Sequence, residues 1–565
     1  MKRSQPSPST TVVRRPQHMD PSAPGLRRLK LFMAITGGCL GFLSYPAINW
    51  TPLVAIAYVP YFWLLNHCSG IKETVRYTWL YSFVMALGGF FWIAYTVVEF
   101  GGLPWWLAVP IMLLYAAVGA ANLAVTGGLV AWLRRPLSMK WQVLWVPAVF
   151  VLVERFFPKL FDWYVGNAIY KIIPLIQIAD LGGPFLLTFQ ILLVNYAIFA
   201  LLEPGLRHWL GHNLSPAFDH SEKIITAGAG MAMLLFSLGY GHFRLHQVEE
   251  QMRCATHKNI GVVQGNLGNY ERLQAQYGDT ATIYKFFEVH RDLTRKLIQP
   301  NREQLDLVLW PEGGYPYPFP EFHPTHQELA DLAERAGAPI VTGGYVRERK
   351  PVYKIYNSMS LTAPGKFEPV ALYKKHILLA FGEYMPFADW FPALKDWIPA
   401  VSTFGTGPGP EVMIYGDFRL APLICYEALS PHYMRVYDQK NANLILNVTN
   451  DSWYSRFQEP EQHLALSQLR CVEARMAQVR STNTGISAVI LPSGEITHRT
   501  AFDTAACFTA RVPLMEMPPT IYARYGDWLV ALLGVLVAGM LAMRWWQKKN
   551  KKAAGEHRLP AASAL

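Results

Sequence analysis

The stretch RLAPLICYE, residues 419–427, is an apolar run that ends in a cysteine, a tyrosine and a glutamate. Short continuous apolar runs are typical of strands buried on both faces of a sheet, so we predict a strand over 419–425. A thiol at the point where a strand turns is open for attack, and the main-chain amide of the next residue, Tyr426, can help to hold an oxyanion. The stretch therefore predicts a buried sheet with a nucleophile, Cys425, at one end.

Two earlier stretches supply the partners that such a thiol needs. LVLWPEGG, residues 307–314, places Glu312 directly after another apolar run, and ALYKKHILLAFGEY, residues 371–384, offers Lys374, Lys375 and Glu383. A free cysteine titrates near 8.5, so a base must take its proton, and Glu312 is the candidate. A lysine would stabilise the negative charge that develops on an attacked carbonyl.

Each of these residues also has an ordinary structural interpretation when it is taken alone. A buried cysteine at the end of an apolar strand is commonly structural, Glu312 could cap a helix or a turn, and the two lysines could lie on a solvated face. The other cysteines lack a comparable setting, and we interpret them as small core or membrane residues.

The segment 244–527 alternates short β-branched runs with helical stretches. This pattern predicts strands that are buried on both faces, in a sandwich of sheets covered by helices. The predicted strands are 259–264, 305–310, 338–343, 419–425, 443–448 and 485–491, and the predicted helices are 281–298 and 461–478.

Composition excludes an ordinary soluble protein. The chain has 565 residues, of which 52% are hydrophobic and 16% charged, against roughly a quarter charged in average proteins. Its net charge of +11 comes from the basic tails 1–30 and 541–565, so no basic stripe is left for nucleic acid. The six cysteines show neither a disulfide framework nor zinc-ligand spacing, and we expect no metal.

Long charge-free runs predict an integral membrane protein. They provide about eight candidate spans, within 31–71 (two), 77–98, 100–133, 141–153, 181–202, 224–243 and 528–543. Lys and Arg in alternate loops favour cytoplasmic termini and place 244–527 outside, with 154–180 as an exception. The apolar, proline-rich arm around Trp390, Phe391 and Trp397 is too apolar for a solvated loop and could dip into the outer leaflet.

The order of WPE, Y-x-K, FGE and CYE resembles the nitrilase superfamily, which uses a Glu-Lys-Cys triad on an αββα sandwich. FGEYMP at 381–386, NVTNDSW at 447–453, the EQHL segment from Glu461, RSTNTGIS at 480–487 and YARYGDW at 522–528 resemble the apolipoprotein N-acyltransferase family. So does the placement of spans on both sides of an extracytoplasmic domain. The resemblance covers residues 30 to 545.

The resemblance implies a role for individual residues. It implies catalytic Glu312, Lys375 and Cys425, and substrate-binding Glu383, Tyr426, Glu427 and Trp453. A one-residue slip in the register would select Lys374 instead of Lys375. Ile377 and Ala380 stand where the family pattern has His and Pro, and Gly313 and Gly314 also depart from it.

The activity that the resemblance implies is acyl transfer through a thioester on Cys425, without a cofactor. A membrane phospholipid would be the donor, and the amino group of a diacylglyceryl-modified apolipoprotein would be the acceptor, in the last step of lipoprotein maturation. The protein would be a monomer of the bacterial inner membrane with a periplasmic catalytic domain. Two alternatives stay open: a membrane-tethered amidase or hydrolase of the nitrilase type, and a non-catalytic scaffold that binds lipoproteins.

The predicted organisation has five parts. They are a basic disordered cytoplasmic tail over 1–28, a bundle of about seven transmembrane helices over 29–243, an extracytoplasmic α+β nitrilase-like αββα sandwich over 250–518, a transmembrane helix over 525–546, and a basic cytoplasmic tail over 547–565.

Overall fold

The structure is a computed structural model, and it describes residues 24–134, 141–210, 217–268, 280–298, 304–350, 353–388, 390–391, 393, 403–454 and 457–556. Nearly all of the predicted N-terminal tail and the end of the C-terminal tail lie outside these residues, as does Trp397 of the arm. The first part of the chain is helical and the second part contains the sheets.

The helical part packs the apolar runs of the sequence against one another. Its helices are α1 (Pro24–Leu43), α2 (Val54–Ala57), α3 (Val59–His67), α4 (Ile71–Phe90), α5 (Trp92–Glu99), α6 (Trp105–Gly119), α7 (Ala121–Leu133), α8 (Gln142–Phe156), α9 (Ile173–Ile176), α10 (Ala179–Leu210) and α11 (His220–Cys254). The long C-terminal helix, which we number α17 (Trp528–Glu556), packs against α8.

Four helical segments of the described chain are long and apolar enough to cross a membrane: Trp105–Leu133, Ala179–His208, His220–Cys254 and Trp528–Gln547. A fifth span is possible if α4 and α5, which meet at a bend of 52°, form one broken span. The predicted run 141–153 falls in α8, which has only 15 residues. The structure therefore supports several spans, whereas the count of eight and the topology stay predictions.

The second part contains two six-stranded sheets. Its strands are β1 (Thr256–Gln264), β2 (Leu307–Leu309), β3 (Ile340–Glu348), β4 (Lys354–Thr362), β5 (Ala371–Lys374), β6 (Met413–Tyr415), β7 (Phe418–Ile424), β8 (Leu444–Thr449), β9 (Ala477–Thr482), β10 (Ala488–Ile490), β11 (Ile496–Arg499) and β12 (Ala506–Leu514). The sheet orders are β12-β1-β2-β3-β4-β5 and β11-β10-β9-β8-β7-β6. Strands β1 to β3 run parallel, as do β7 to β9.

The inner faces of the two sheets form one core, and helices cover both outer faces. The helices are α12 (Thr280–Leu297), α13 (Pro324–Ala336), α14 (Pro431–Gln439), α15 (Glu459–Ala474) and the short α16 (Ile521–Tyr525). In β7, Leu420 and Ile424 pack between the sheets, while Leu423 packs outward in the cluster that includes α14 and α15. The predicted αββα sandwich is confirmed, and burial on both faces explains why its strands are continuously apolar.

The predicted strands and helices of this part are all present, with shifted ends. Sequence reasoning missed β4, β5, β6, β9, β11 and β12 and the helices α13, α14 and α16. β9 was missed because its sequence, AQVRST, is largely polar, although every one of its residues is buried. Its side chains are satisfied by hydrogen bonds that link distant parts of the chain, such as Ser481 to the Val263 carbonyl at 2.7 Å.

Candidate active site

Glu312 lies just after β2, on a backbone that packs closely against β3. A side chain on Gly343 would place its Cβ 2.6 Å from the Glu312 Cα, which is closer than real Cβ atoms come. Glycine at 343 therefore lets the loop that holds Glu312 rest directly on the neighbouring strand.

Lys375 lies between two carboxylates. Its Nζ is 2.7 Å from Glu383 Oε2 and 3.9 Å from Glu312 Oε1, and its side chain is only 1% exposed. Asn357 joins the carboxylates from the other side, because its Nδ2 donates to Glu312 Oε1 at 2.6 Å and to Glu383 Oε1 at 2.9 Å. Burial lowers the pKa of Lys375, but the two carboxylates raise it more, so its net pKa lies above the usual value. The ammonium group is a permanent positive charge in this cluster.

Lys374 points elsewhere, since successive side chains of a strand alternate between faces. It forms an ion pair with Glu348 and lies 4.7 Å from the Tyr356 ring centroid. Of the two lysines left open by the sequence, Lys375 has the contacts with Glu312.

Cys425 begins a short 3₁₀ turn directly after β7, with φ at 51°. This left-handed conformation is uncommon for a residue other than glycine, and it turns the chain sharply at the end of the sheet. Burial raises the pKa of the Cys425 thiol, and the Glu312 carboxylate raises it further, whereas Lys375 and a hydrogen bond with Thr449 lower it. The thiol is therefore protonated at rest and requires a base.

Glu427 braces the loops around this site. Its Oε1 accepts hydrogen bonds from Tyr373 Oη (2.8 Å), the His376 amide (2.8 Å) and the Ile377 amide (3.1 Å), and its Oε2 accepts one from the Ile424 amide (2.9 Å). The Glu427 side chain is fully buried. Glu427 therefore links the loop after β5 to the end of β7. A contact between Glu427 and substrate stays a prediction.

Tyr426 and Trp453 connect the site with the helical part. The Tyr426 ring lies 5.2 Å from that of Phe161, and the Trp453 ring lies 4.7 Å from that of Phe100 in an edge-on contact. Phe161 also lines a cavity of roughly 180 Å³ within the bundle, whose walls are mainly aromatic and aliphatic and include Glu154 and Lys159. The residue that follows the predicted nucleophile thus contacts a side chain that lines the apolar cavity of the bundle.

The predicted arm begins beside the site. A Cβ on Gly382 would lie 3.7 Å from the Phe100 ring, and farther along the arm Trp390 and Phe391 are exposed by 75% and 64%. The contact with Phe100 places the start of the arm against the end of α5.

Sequence reasoning assigned no role to a second buried group behind Cys425. Asp451, Glu459 and His463 present ligand atoms within 4.8 Å of one another, a type of grouping that can hold a metal. Arg480 already supplies a cation here, because its Nη2 donates to Asp451 Oδ2 at 3.1 Å. The signal for this group was the motifs NVTNDSW and RSTNTGIS and the EQHL segment, which supply Asp451, Arg480 and His463.

The comparisons with known proteins divide the chain at the same place as the fold. Residues 260–522 match the family model described as carbon-nitrogen hydrolase, and residues 37–197 match the apolipoprotein N-acyltransferase N-terminal domain. Sandwich and site together define a carbon-nitrogen hydrolase-type domain that is attached to a bundle of apolar helices.

Related sequences identify the family. The apolipoprotein N-acyltransferase of Bdellovibrio bacteriovorus is 32% identical, over 88% of this chain and 91% of the relative. That of Geobacter metallireducens is 28% identical, over 93% and 97%. The chain belongs to the apolipoprotein N-acyltransferase family. Among solved structures, an amidase from Nesterenkonia sp. is 17% identical, with a TM-score of 0.34, over 48% of this chain and 97% of that one.

Proposed function

We propose that the protein transfers an acyl chain from a membrane phospholipid to the N-terminal amino group of diacylglyceryl-modified apolipoproteins, through a thioester on Cys425. The observation that carries the proposal is the buried Lys375, whose Nζ lies 2.7 Å from Glu383 and 3.9 Å from Glu312, together with the action of Glu312 and Lys375 on the Cys425 thiol. A base, a fixed cation and a nucleophile are the parts that acyl transfer needs.

In the first step, Glu312 accepts the Cys425 proton and the sulfur attacks the ester carbonyl carbon of the phospholipid. Lys375 and the main-chain N–H of Tyr426 stabilise the oxyanion of the tetrahedral intermediate. The intermediate collapses with cleavage of the ester C–O bond, and the leaving lyso-lipid oxygen takes the proton from Glu312. A thioester remains on Cys425.

In the second step, the free amino group of the apolipoprotein attacks the thioester carbonyl, and Glu312 accepts one proton from the nitrogen. The C–S bond breaks, an amide forms, and the Cys425 sulfur recovers the proton from Glu312. Glu383 takes no proton in either step; its 2.7 Å ion pair keeps Lys375 charged and oriented.

Lipid substrates are supported by the surroundings of the site. Tyr426 contacts Phe161, a wall of the apolar cavity in the bundle, so an acyl chain lying in that cavity would end near Cys425. Tyr426 and Trp453 would contact the substrates, in agreement with their aromatic contacts to the helical part. A water-soluble amide would need neither the cavity nor the helices.

The proposed location follows from the same chemistry and from the loop charges. Both substrates are anchored in lipid, so the protein is proposed to be a multi-pass protein of the bacterial inner membrane. That it acts as a monomer is a separate part of the proposal. Its catalytic domain would face the periplasm and both termini the cytoplasm, because Lys and Arg concentrate in alternate loops and in the tails.

Intact-mass spectrometry of the purified protein tests the proposal. The wild type and Cys425→Ala are mixed with dipalmitoyl phospholipid and then chased with a diacylglyceryl-cysteine peptide. We expect one palmitoyl adduct that requires Cys425 and moves to the peptide amine. Cys471→Ala is the matched control, since Cys471 is another buried cysteine of the sandwich.

Two other results would overturn the acyltransferase. An adduct that is lost to water at the same rate with and without peptide would establish the hydrolase alternative. Absence of any adduct in the wild type would favour the scaffold alternative.

A further inference from the structure

His463 of α15 lies directly behind the predicted nucleophile. Its Nε2 is 3.3 Å from the main-chain oxygen of Cys425, and the residue is 3% exposed. A carbonyl oxygen can only accept a hydrogen bond, so this contact requires a hydrogen on Nε2. His463 thus donates to the backbone of the nucleophile, and its contact is with the main chain rather than with the sulfur.

The ring of His463 is held in place from its other side. Its Nδ1 is 3.1 Å from Asp451 Oδ1, a carboxylate oxygen that likewise only accepts, so the two contacts together require a hydrogen on each ring nitrogen, that is, an imidazolium beside the Asp451 carboxylate. Burial and Arg480 lower the pKa of this ring, whereas Asp451 and the two hydrogen bonds raise it. Asp451 is held in turn by Arg480, whose Nη2 donates to Oδ2 at 3.1 Å. Gly485 permits this packing, since a Cβ there would lie 2.0 Å from Asp451 Oδ2. All three charged or titratable groups are buried, so the ring has one fixed orientation.

The peptide bond between Cys425 and Tyr426 transmits this orientation to the proposed oxyanion site. The bond is planar and trans, so its C=O and N–H point in opposite directions. A donor that fixes the Cys425 oxygen on one side therefore fixes the direction of the Tyr426 N–H on the other. Cys425 has φ at 51°, a conformation that persists only where its surroundings hold it.

We propose that His463, held by Asp451 and Arg480, is a positioning residue that aims the Tyr426 N–H at the oxyanion of the acyl-transfer reaction. The inference rests on the proposed function, because it needs acyl transfer at Cys425. Asp451, His463 and Arg480, which lie on the loop after β8, on α15 and on β9, would thus act through the main chain of Cys425.

Two substitutions distinguish the effect of losing the hydrogen bond from the effect of changing the side-chain volume. His463→Gln retains an N–H donor, whereas His463→Met has a similar length and no donor. His326→Met is the matched control, because His326 is equally buried but stacks on Phe319, on the outer side of the other sheet. Thermal unfolding of every variant is measured first.

Two reactions of Cys425 are then compared for each variant. One is acyl-enzyme formation from dipalmitoyl phospholipid, which passes through an oxyanion. The other is formation of a methyl disulfide with methyl methanethiosulfonate, in which the Cys425 thiolate displaces methanesulfinate and no oxyanion forms on a carbonyl carbon. Peptide mass spectrometry follows Cys425 separately from the other cysteines.

We expect His463→Met to slow acyl-enzyme formation roughly ten- to hundredfold, somewhat less than deletion of an oxyanion donor, with methyl disulfide formation within about twofold of wild type. His463→Gln should recover most of the acylation rate, and His326→Met should match wild type. Equal slowing of both reactions in a folded His463→Met protein, or a Gln variant as slow as the Met variant, would overturn the inference. A wild type that forms no acyl-enzyme would refute the proposed function instead.

Discussion

At the scale of the residue, two consecutive lysines have opposite environments. Lys375 is buried between Glu312 and Glu383, whereas Lys374 pairs with the half-exposed Glu348. Asn357 lies across from Lys375, because the Lys375 amide donates to the Asn357 oxygen at 2.9 Å, and its side chain reaches both carboxylates. Strand alternation thus assigns one lysine to the site and the other to the surface.

Replacement of each lysine by methionine tests this assignment. Lys375→Met should lower kcat/KM by about 10³-fold or more, because the oxyanion loses its cation and two carboxylates are left close together. Lys374→Met should change it by less than about threefold, since exposed ion pairs contribute little. The measurement is peptide acylation at matched protein concentration, and similar losses in the two variants would contradict the assignment.

The buried carboxyl group of Asp438 should make the stability of the protein depend on pH. Burial raises its pKa to about 7, against hydrogen bonds from Thr520 that lower it. Between about pH 4 and pH 7 the folded state therefore keeps a proton on Asp438 that the unfolded chain has released. The free-energy cost of burying the ionised Asp438 carboxylate is thus absent below about pH 4, grows up to about pH 7 and is constant above it. The shift corresponds to at most about 4 kcal/mol.

Asp438→Asn removes this ionisation and keeps an acceptor for the Thr520 amide. We expect its thermal midpoint to equal that of wild type near pH 4 and to exceed it increasingly up to pH 7. A difference in thermal midpoint that does not vary with pH would be evidence against a titrating Asp438.

At the scale of the element, α15 joins the sandwich to the bundle. Glutamine side chains of α15 and of the residue just before it donate to main-chain oxygens of the helical part: Gln458 to Gly88, Gln462 to Gly89 and Gln468 to Tyr170, at 3.0, 2.8 and 3.1 Å. Arg475, directly after α15, donates to Asp180 Oδ2 of α10 at 2.7 Å. The helix that supports His463 therefore also contacts the helical part.

The ion pair of Arg475 is testable because it is buried. Arg475→Met should destabilise the protein by about 1–3 kcal/mol, since Asp180 keeps its pair with Arg244 at 2.8 Å while the buried Gln177 oxygens lose the donor that Arg475 supplies. Arg349→Met is the control, because the pair of Arg349 with Glu321 is exposed and should contribute less than about 1 kcal/mol. Thermal unfolding in nanodiscs provides the comparison, and equal midpoints for the two variants would show that the pair does not hold the parts together.

At the scale of the whole molecule, we expect access of lipid to the proposed active site to depend on the arm. Trp390 and Phe391 are large and exposed, as expected for side chains that enter a lipid surface. Trp390→Ser combined with Phe391→Ser should lower turnover of bilayer phospholipid on the order of tenfold, with a smaller loss for detergent-dispersed phospholipid. Phe322→Ser, at another exposed aromatic, is the control, and equal losses with both substrates would show that the arm is not needed for bilayer lipid to reach the site.

The predicted topology is tested by thiol labelling in intact spheroplasts. Cys254 is exposed at the end of α11, just before β1, so with the other five cysteines replaced it should react with a membrane-impermeant maleimide. A cysteine introduced by Ser563→Cys in the C-terminal tail, with Cys254 also replaced, should react only after lysis. The reverse pattern would invert the topology.

Local patterns in the sequence were enough to identify the kinds of structure and the kinds of chemical group in this protein. Charge-free runs indicated membrane helices, continuous apolar strands indicated a covered sandwich, and strand ends marked Glu312 and Cys425, because each of these signals is local in the chain. Only the tertiary structure separated Lys375 from Lys374 and brought Asn357, Asp451, His463 and Arg480 to the site. These contacts join side chains that are far apart in sequence, and their polar types follow no hydrophobic period, so their partners are decided by the packing of the two sheets and α15.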